Sequence, residues 1–140
     1  MIAPAALAAI RAHAAAAHPH ECCGILLGHQ ADEGTRIAEA RAARNVHPAP
    51  QTHFEIDPQA LINAHRAARD GKAQVIGYYH SHPRGPAEPS ALDSALAAGD
   101  GLVWAIHGAG DGADQEGGEI RFWCSLPGGF DALSCAIVED

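Results

Sequence analysis

Basic residues are scarce in this chain. Lys and Arg number 9 against 17 Asp and Glu, a formal net charge of −8, and no Lys/Arg run occurs anywhere. Clustered cations are what grip a phosphate backbone, so the composition argues against nucleic-acid binding. Cysteine is sparse and unpatterned: Cys22, Cys23, Cys124 and Cys135 form no C-x-x-C pair. That spacing excludes a zinc knuckle or a thioredoxin-like motif and is read as buried free thiols in a reducing, cytoplasmic compartment. Long apolar runs are missing too, since none approaches the ~20 residues a membrane-spanning helix needs. The Ala-rich stretch from Met1 to Ala17 superficially resembles a signal peptide, but it lacks a basic start and is interrupted by Arg11 and His13. What the chain does have is an apolar fraction of 47% and ten histidines in 140 residues. The first is enough for one domain, 1–140, with its own core. The second is a bias toward the commonest metal ligand.

Pro4 to Ala17 has Pro in its first turn and Leu7, Ile10 and Ala14 on one stripe, which predicts a helix ending at His18-Pro19. Cys22 to Gly28 is short and apolar and predicts a central strand, with Gln30 to Gly34 as a hairpin turn. Thr35 to Arg44 is ambiguous: its Ala, Glu and Arg favour helix, while the hairpin context favours strand, which is the expectation taken. Asn45 to Thr52 reads as a loop and Phe54-Glu55-Ile56 as a brief extended piece. Asp57 as N-cap, Pro58 at the first helical position and Gly71 past the end punctuate a second helix. Gln74 to Tyr79 predicts a buried strand, Ser90 to Ala98 a short helix, and Leu102 to Ile106 another strand. Glu119 to Ser125 and Leu133 to Val138 predict two more strands around Pro127-Gly128-Gly129. Strands and helices in this irregular order indicate an α/β sandwich with a mixed sheet flanked by helices.

The chemistry concentrates in His80-Ser81-His82-Pro83 and Ser90-Ala91-Leu92-Asp93. Side chains alternate across a strand, so His80 and His82 share a face and can converge on one ion. After a Gly/Pro-rich turn, Ser90 starts the helix and Asp93 lies one turn on. Two imidazoles and a carboxylate are a three-ligand set for one Zn2+, with water in the fourth position. Hydrolysis needs a base as well, and Glu21, a charge at the mouth of an apolar strand, is the candidate. Ser90 is the candidate donor to an oxyanion. Each element also has a plainer reading. Ser90-x-x-Asp93 alone is a capping device, and His80 and His82 alone are strand histidines. His18 and His20 are loop imidazoles close to Glu21, and His47, His53, His65 and His107 receive no role. Asp111, Asp114 and Glu116 lack calcium-loop spacing and read as a polar loop. Trp104, Trp123 and Phe122 are assigned to the core.

The pattern Glu21 … His80-x-His82-x(7)-Ser90-x(2)-Asp93 resembles the JAMM (MPN-plus) metallopeptidases, and in particular their stand-alone prokaryotic members. Further likeness lies in Glu21 to Gly28 after a proline, Phe54-Glu55-Ile56-Asp57-Pro58 before a helix, and Gly77-Tyr78-Tyr79 leading into the histidines; it spans roughly residues 1 to 125. The resemblance implies a cytidine-deaminase-like MPN sandwich. It also implies zinc on His80, His82 and Asp93, Glu21 as general base, and Ser90 as oxyanion stabiliser. The implied substrate is a peptide or isopeptide bond after the C-terminal Gly-Gly of a ubiquitin-like or sulfur-carrier protein. Such a tail can add to a sheet edge, for which Gln51 to Ile56 is the segment suggested. Two alternatives stay open from the residues themselves: a metal-stabilised module that binds such tails without cutting them, and a zinc hydrolase of a small-molecule amide.

Overall fold

A computed structural model describes residues 1–109 and 118–137. Its elements run α1 (Pro4–Ala17), β1 (Cys23–Ala31), β2 (Gly34–Ala43), α2 (Pro58–Arg69), β3 (Gln74–His82), α3 (Ala91–Leu96), β4 (Val103–Gly108), β5 (Glu119–Leu126) and β6 (Gly129–Leu133). The six strands form one sheet in the order β2-β1-β3-β4-β5-β6. Only β3 and β4 run parallel; the other neighbours are antiparallel. The mixed α/β architecture is the one expected.

The two faces of the sheet are covered by different helices. α1 presents Ala6, Ile10 and Ala14 to one face, where Leu26, Ile37, Ile76, Tyr79, Ala105 and Phe122 complete the larger core. α2 buries Ala64 against Ile25 and Leu27 on the other face, with Val75 and Tyr78 alongside. Val75 and Tyr78 share a face despite their odd spacing because a bulge at Ile76 breaks the register between β1 and β3. A bulge of this kind inserts one residue and flips the parity of what precedes it. Alternation then carries the α2-side face from Tyr78 to His80 and His82.

The ambiguous Thr35–Arg44 segment is strand. Its helix-favouring composition is overridden by eight pairings to β1 between Thr35 and Ala43, and Ile37 and Ala40 are buried on the α1 side. The outer edge of β2 is covered in part by the N-terminus, where Ile2 bridges Ile37 on one side and Ile137 on the other.

Several expected boundaries move. The turn expected over Gln30 to Gly34 narrows to Asp32-Glu33, because Gln30 and Ala31 pair with Thr35 and Gly34, and β3 and β4 run on to His82 and Gly108. The last strand is Gly129–Leu133, not Leu133–Val138, because Pro127-Gly128 already closes a tight turn in which Leu126 pairs with Gly129. Gly128 has φ +90°, a conformation glycine adopts without the clash a Cβ brings. Residues 134–137 instead leave β5 and run past Ile2, whose amide donates to the Ala136 carbonyl. Val138 lies outside the described residues, as do Asp111, Asp114 and Glu116. The short helix stops at Leu96 rather than Ala98, since Ala97 is already extended. Among the described residues, no helix is long and apolar enough to cross a membrane.

Candidate metal centre

β3 delivers both histidines at its C-terminal end. His80 is fully buried and His82 partly so, and the buried Asp93 reaches them from the first turn of α3. Three donor atoms converge: His80 Nε2 to His82 Nε2 is 3.1 Å, His80 Nε2 to Asp93 Oδ2 is 3.2 Å, and His82 Nε2 to Asp93 Oδ2 is 3.0 Å. Tetrahedral zinc with bonds of ~2.0–2.1 Å would hold its ligands about 3.3 Å apart. The triangle is therefore within a few tenths of an ångström of one face of that tetrahedron, and the group can hold a metal ion. Two imidazoles and one carboxylate suit zinc by donor type, and they leave a fourth position open.

The turn between the histidines and α3 orients the donors. His82 Nδ1 lies 2.8 Å from the Pro86 carbonyl oxygen, so the ring donates there and turns the lone pair of Nε2 to the triangle. The Ala109 amide donates to the carbonyls of His82 and Gly85, and the Trp123 indole donates to that of Ala87, which pins the turn to β4 and β5. His80 is held differently. Phe54 stacks on its ring at 4.3 Å and 18°, Trp104 meets it edge-on at 5.6 Å, and Phe130 packs against Trp104 in turn.

Glu21 stands two residues before β1. Cys23 pairs with His80, the Ser81 amide donates to the Cys22 carbonyl, and the Cys22 amide donates to Ser81 Oγ. Continuing that antiparallel register sets Glu21 opposite His82. Glu21 is buried, and with His82, Ser90, Thr52, Pro86, Glu88 and Leu92 it lines a shallow cleft of about 280 Å³. The structure thus brings together all five residues singled out from the sequence: His80, His82, Asp93, Glu21 and Ser90.

Their protonation tendencies diverge. Burial pushes the Glu21 carboxyl up to about 7, with nearby His82 opposing and Asp93 adding to the rise. Burial also acts to raise Asp93, but hydrogen bonds from His80 and His82 and from the Ser90 amide hold it well below the usual carboxylate range. Two neighbouring carboxylates with opposite shifts are a pair in which one stays ionised and the other trades a proton near neutrality. Burial lowers His80 and favours its neutral form. Burial opposes the charged form of His82 as well, but its bonds to Asp93 and Pro86 outweigh this and raise it.

Ser90 caps α3. Its Oγ accepts from the Asp93 amide at 3.1 Å while its own amide donates to Asp93 Oδ2 at 2.9 Å, a reciprocal capping box. The cap occupies an acceptor lone pair of the hydroxyl, which leaves its proton free to donate into the cleft. Capping and donation are compatible at this residue.

A model of the prokaryotic homologs of the JAB domain matches residues 3–125. The chain belongs to this family. Among relatives of the JAB-domain chain, a desampylase of Haloferax volcanii is 32% identical over 96 residues, covering 69% of this chain and 68% of that protein. A probable TtuB-protein conjugate cleaving protease of Thermus thermophilus is 36% identical over 83 residues, 59% of this chain and 53% of that one. Tail tip assembly protein K of Escherichia phage N15 is 35% identical over 98 residues, 70% of this chain, and the match spans only 36% of the phage protein. A solution structure from Desulfitobacterium hafniense superimposes with a TM-score of 0.85 at 27% identity, covering 99% of this chain and 92% of that one. A JAB1/MPN domain protein from Archaeoglobus fulgidus shares the fold at TM-score 0.58 and 22% identity, covering 99% and 98%.

Several contributors had no assigned role from sequence. Trp104, assigned to the core, is buried but stands against His80. Phe54 stood out only as part of a family-like stretch, and its stacking on His80 depends on how the loop before α2 closes. Pro86 acts through its carbonyl, which no side-chain pattern reveals. Gln51 to Ile56 forms no ladder; it has a single bridge, Ile56 to Asn45. His18 and His20 are exposed, and His47 and His53 stack on each other at 4.5 Å.

Proposed function

We propose that the chain is a zinc-dependent peptidase or isopeptidase that cuts after the C-terminal Gly-Gly of a ubiquitin-like or sulfur-carrier protein. The observation that carries this reading is the near-tetrahedral donor triangle of His80, His82 and Asp93 with a buried carboxyl, Glu21, raised to about 7 in the same cleft. The names of the relatives, a desampylase and a conjugate cleaving protease, support the substrate class. His80 Nε2, His82 Nε2 and Asp93 Oδ2 would hold one zinc ion. When bound, zinc supplies Lewis acidity, acidifying a water and polarising the scissile carbonyl.

The remaining work falls to the chain's own groups. Glu21 accepts the proton of the attacking water as an ionised carboxylate and passes it to the leaving nitrogen. Ser90 donates its free hydroxyl proton to the carbonyl oxygen as negative charge builds there. His82, fixed by Pro86, and His80, fixed by Phe54, keep the donor triangle rigid while this happens.

The test is hydrolysis of a diglycine-tailed fusion, with bound metal measured by mass spectrometry. The wild type is expected to carry about one zinc per chain and to lose turnover with chelator. His80→Ala and Asp93→Ala lose zinc and turnover together, while Glu21→Gln keeps zinc and loses turnover. Tail binding without turnover would identify a binding module. Faster cleavage of short amides than of the fusion would identify a small-molecule hydrolase.

A further inference from the structure

The loop joining β2 to α2 is organised around one side chain. Asn45 Nδ2 donates to the carbonyl oxygens of Glu21 at 3.0 Å and His53 at 2.9 Å. Its Oδ1 accepts from the amides of His47 at 3.1 Å and Glu55 at 3.0 Å. A primary amide has two N–H donors and two acceptor lone pairs, so Asn45 uses its full complement.

Main-chain bonds already close the loop without it: Val46 donates to Glu55 at 2.9 Å and Asp57 to Arg44 at 3.0 Å. What Asn45 adds is a connection across to β1. With the Glu21 amide donating to the Pro50 carbonyl at 2.7 Å, both main-chain polar groups of Glu21 are held by this one loop. The same loop presents Phe54 face-on to His80. His80 is entirely buried and its Nδ1 has no hydrogen-bond partner among the described residues, so Phe54 replaces the acceptor that usually orients a metal-binding imidazole.

We propose that Asn45 is a positioning residue of the site: its amide ties the Glu21 main chain to the loop that stacks on His80, and so sets the base relative to the donor triangle. The inference rests on the reading of Glu21 as the general base. A displacement of about 1 Å at a reacting group is enough to lose about 100-fold in rate.

The experiment is a double-mutant cycle on the zinc-loaded chain, using a diglycine-tailed fusion, together with amide hydrogen exchange on the metal-free protein. Asn45→Ala is expected to lower kcat at least about 30-fold with KM within about threefold and zinc content unchanged. In a Glu21→Gln background the same change is expected to lower residual turnover less than about threefold, because the group it positions is gone. A merely structural role would multiply the two losses. In the metal-free protein, exchange at the Glu21 and Glu55 amides is expected to rise.

Asn45→Asp keeps the acceptor for His47 and Glu55 and removes both donated bonds. It is expected to preserve exchange protection at Glu55 and to lose kcat as Asn45→Ala does, and it carries the cycle if the alanine variant fails to fold. A kcat within threefold of wild type in both variants, additive losses in the cycle, or loss of zinc overturns the positioning role. Full turnover in Glu21→Gln overturns the base reading itself, whatever Asn45 does.

Discussion

Glu21→Gln is expected to stabilise the metal-free protein at pH 8 while leaving its stability at pH 4.5 nearly unchanged. Burial holds the folded Glu21 carboxyl protonated up to about pH 7, whereas the same group ionises around its ordinary 4.5 when the chain unfolds. Between those values the native state binds more protons than the unfolded state, so stability falls as pH rises. The contribution is fully present below 4.5 and fully lost above about 7. The gap is equivalent to at most about 3 kcal/mol, and relaxation of the cleft would reduce the measured value to roughly 1–3. Glutamine mimics the protonated acid at every pH and never incurs this cost. His80, whose pKa is lowered, weakens the fold as pH falls through 6.5 and below, but it does so in both proteins and cancels in their difference. Asp93, held low, contributes above its ordinary 3.8 and is lost only in more acid solution, below this window. The assay is urea unfolding in the presence of chelator at pH 4.5 and pH 8. A variant equally stable to wild type at pH 8, or a gain of the same size at both pH values, would refute the argument that Glu21 carries an unfavourable buried charge.

Three further outcomes follow from the site. Ser90→Ala loses the cap of α3, worth about 1 kcal/mol in thermal unfolding, and the hydroxyl donor, worth about 10²–10³ in kcat. Ser90→Asp is expected to restore the melting temperature but not the rate, because a carboxylate caps without donating. A Cβ at Gly108 would overlap the Ala87 amide nitrogen and the Pro86 carbonyl carbon; Gly108→Ala is therefore expected to move Pro86 off His82 Nδ1 and weaken zinc binding roughly 10- to 100-fold in a chelator competition. Zinc must displace a proton from His82, whose folded pKa is raised, so apparent affinity measured by the same competition is expected to fall at least about tenfold from pH 7.5 to pH 5.5. An affinity flat across that range would exclude His82 as a donor.

The donor triangle was legible because its parts are local. His80 and His82 are two residues apart on a strand, and Ser90 and Asp93 share one helical turn, so alternation and helical geometry bring each pair onto one side before any tertiary contact is considered. Glu21 was a weaker inference, since its approach depends on β1 pairing with β3 in one register; a slip of one residue would have turned it to the α1 face. The strand over Thr35–Arg44 was legible only from its hairpin context, because its composition points the other way. The last strand was misplaced because Leu133 to Val138 has the more apolar pattern, while the Pro127-Gly128 turn decided where pairing begins.

Asn45, Phe54 and Pro86 were illegible for a common reason. Each acts through a group that carries no sequence periodicity: an amide bonded to a carbonyl 24 residues away, a ring stacked on an imidazole, and a main-chain oxygen in the turn after His82. The local pattern supplies the groups that would touch zinc and substrate, and these three residues supply the constraint on where those groups stand. A search that stops at ligands and base therefore describes the donor set but not its rigidity. Because the triangle is already within a few tenths of an ångström of the tetrahedral spacing, little reorganisation is left for the metal to drive. Zinc affinity is thus expected to respond more to Gly108→Ala, which shifts the Pro86 carbonyl that holds a donor ring, than to Asn45→Ala or Glu21→Gln, which act on the base and move none of the three donors.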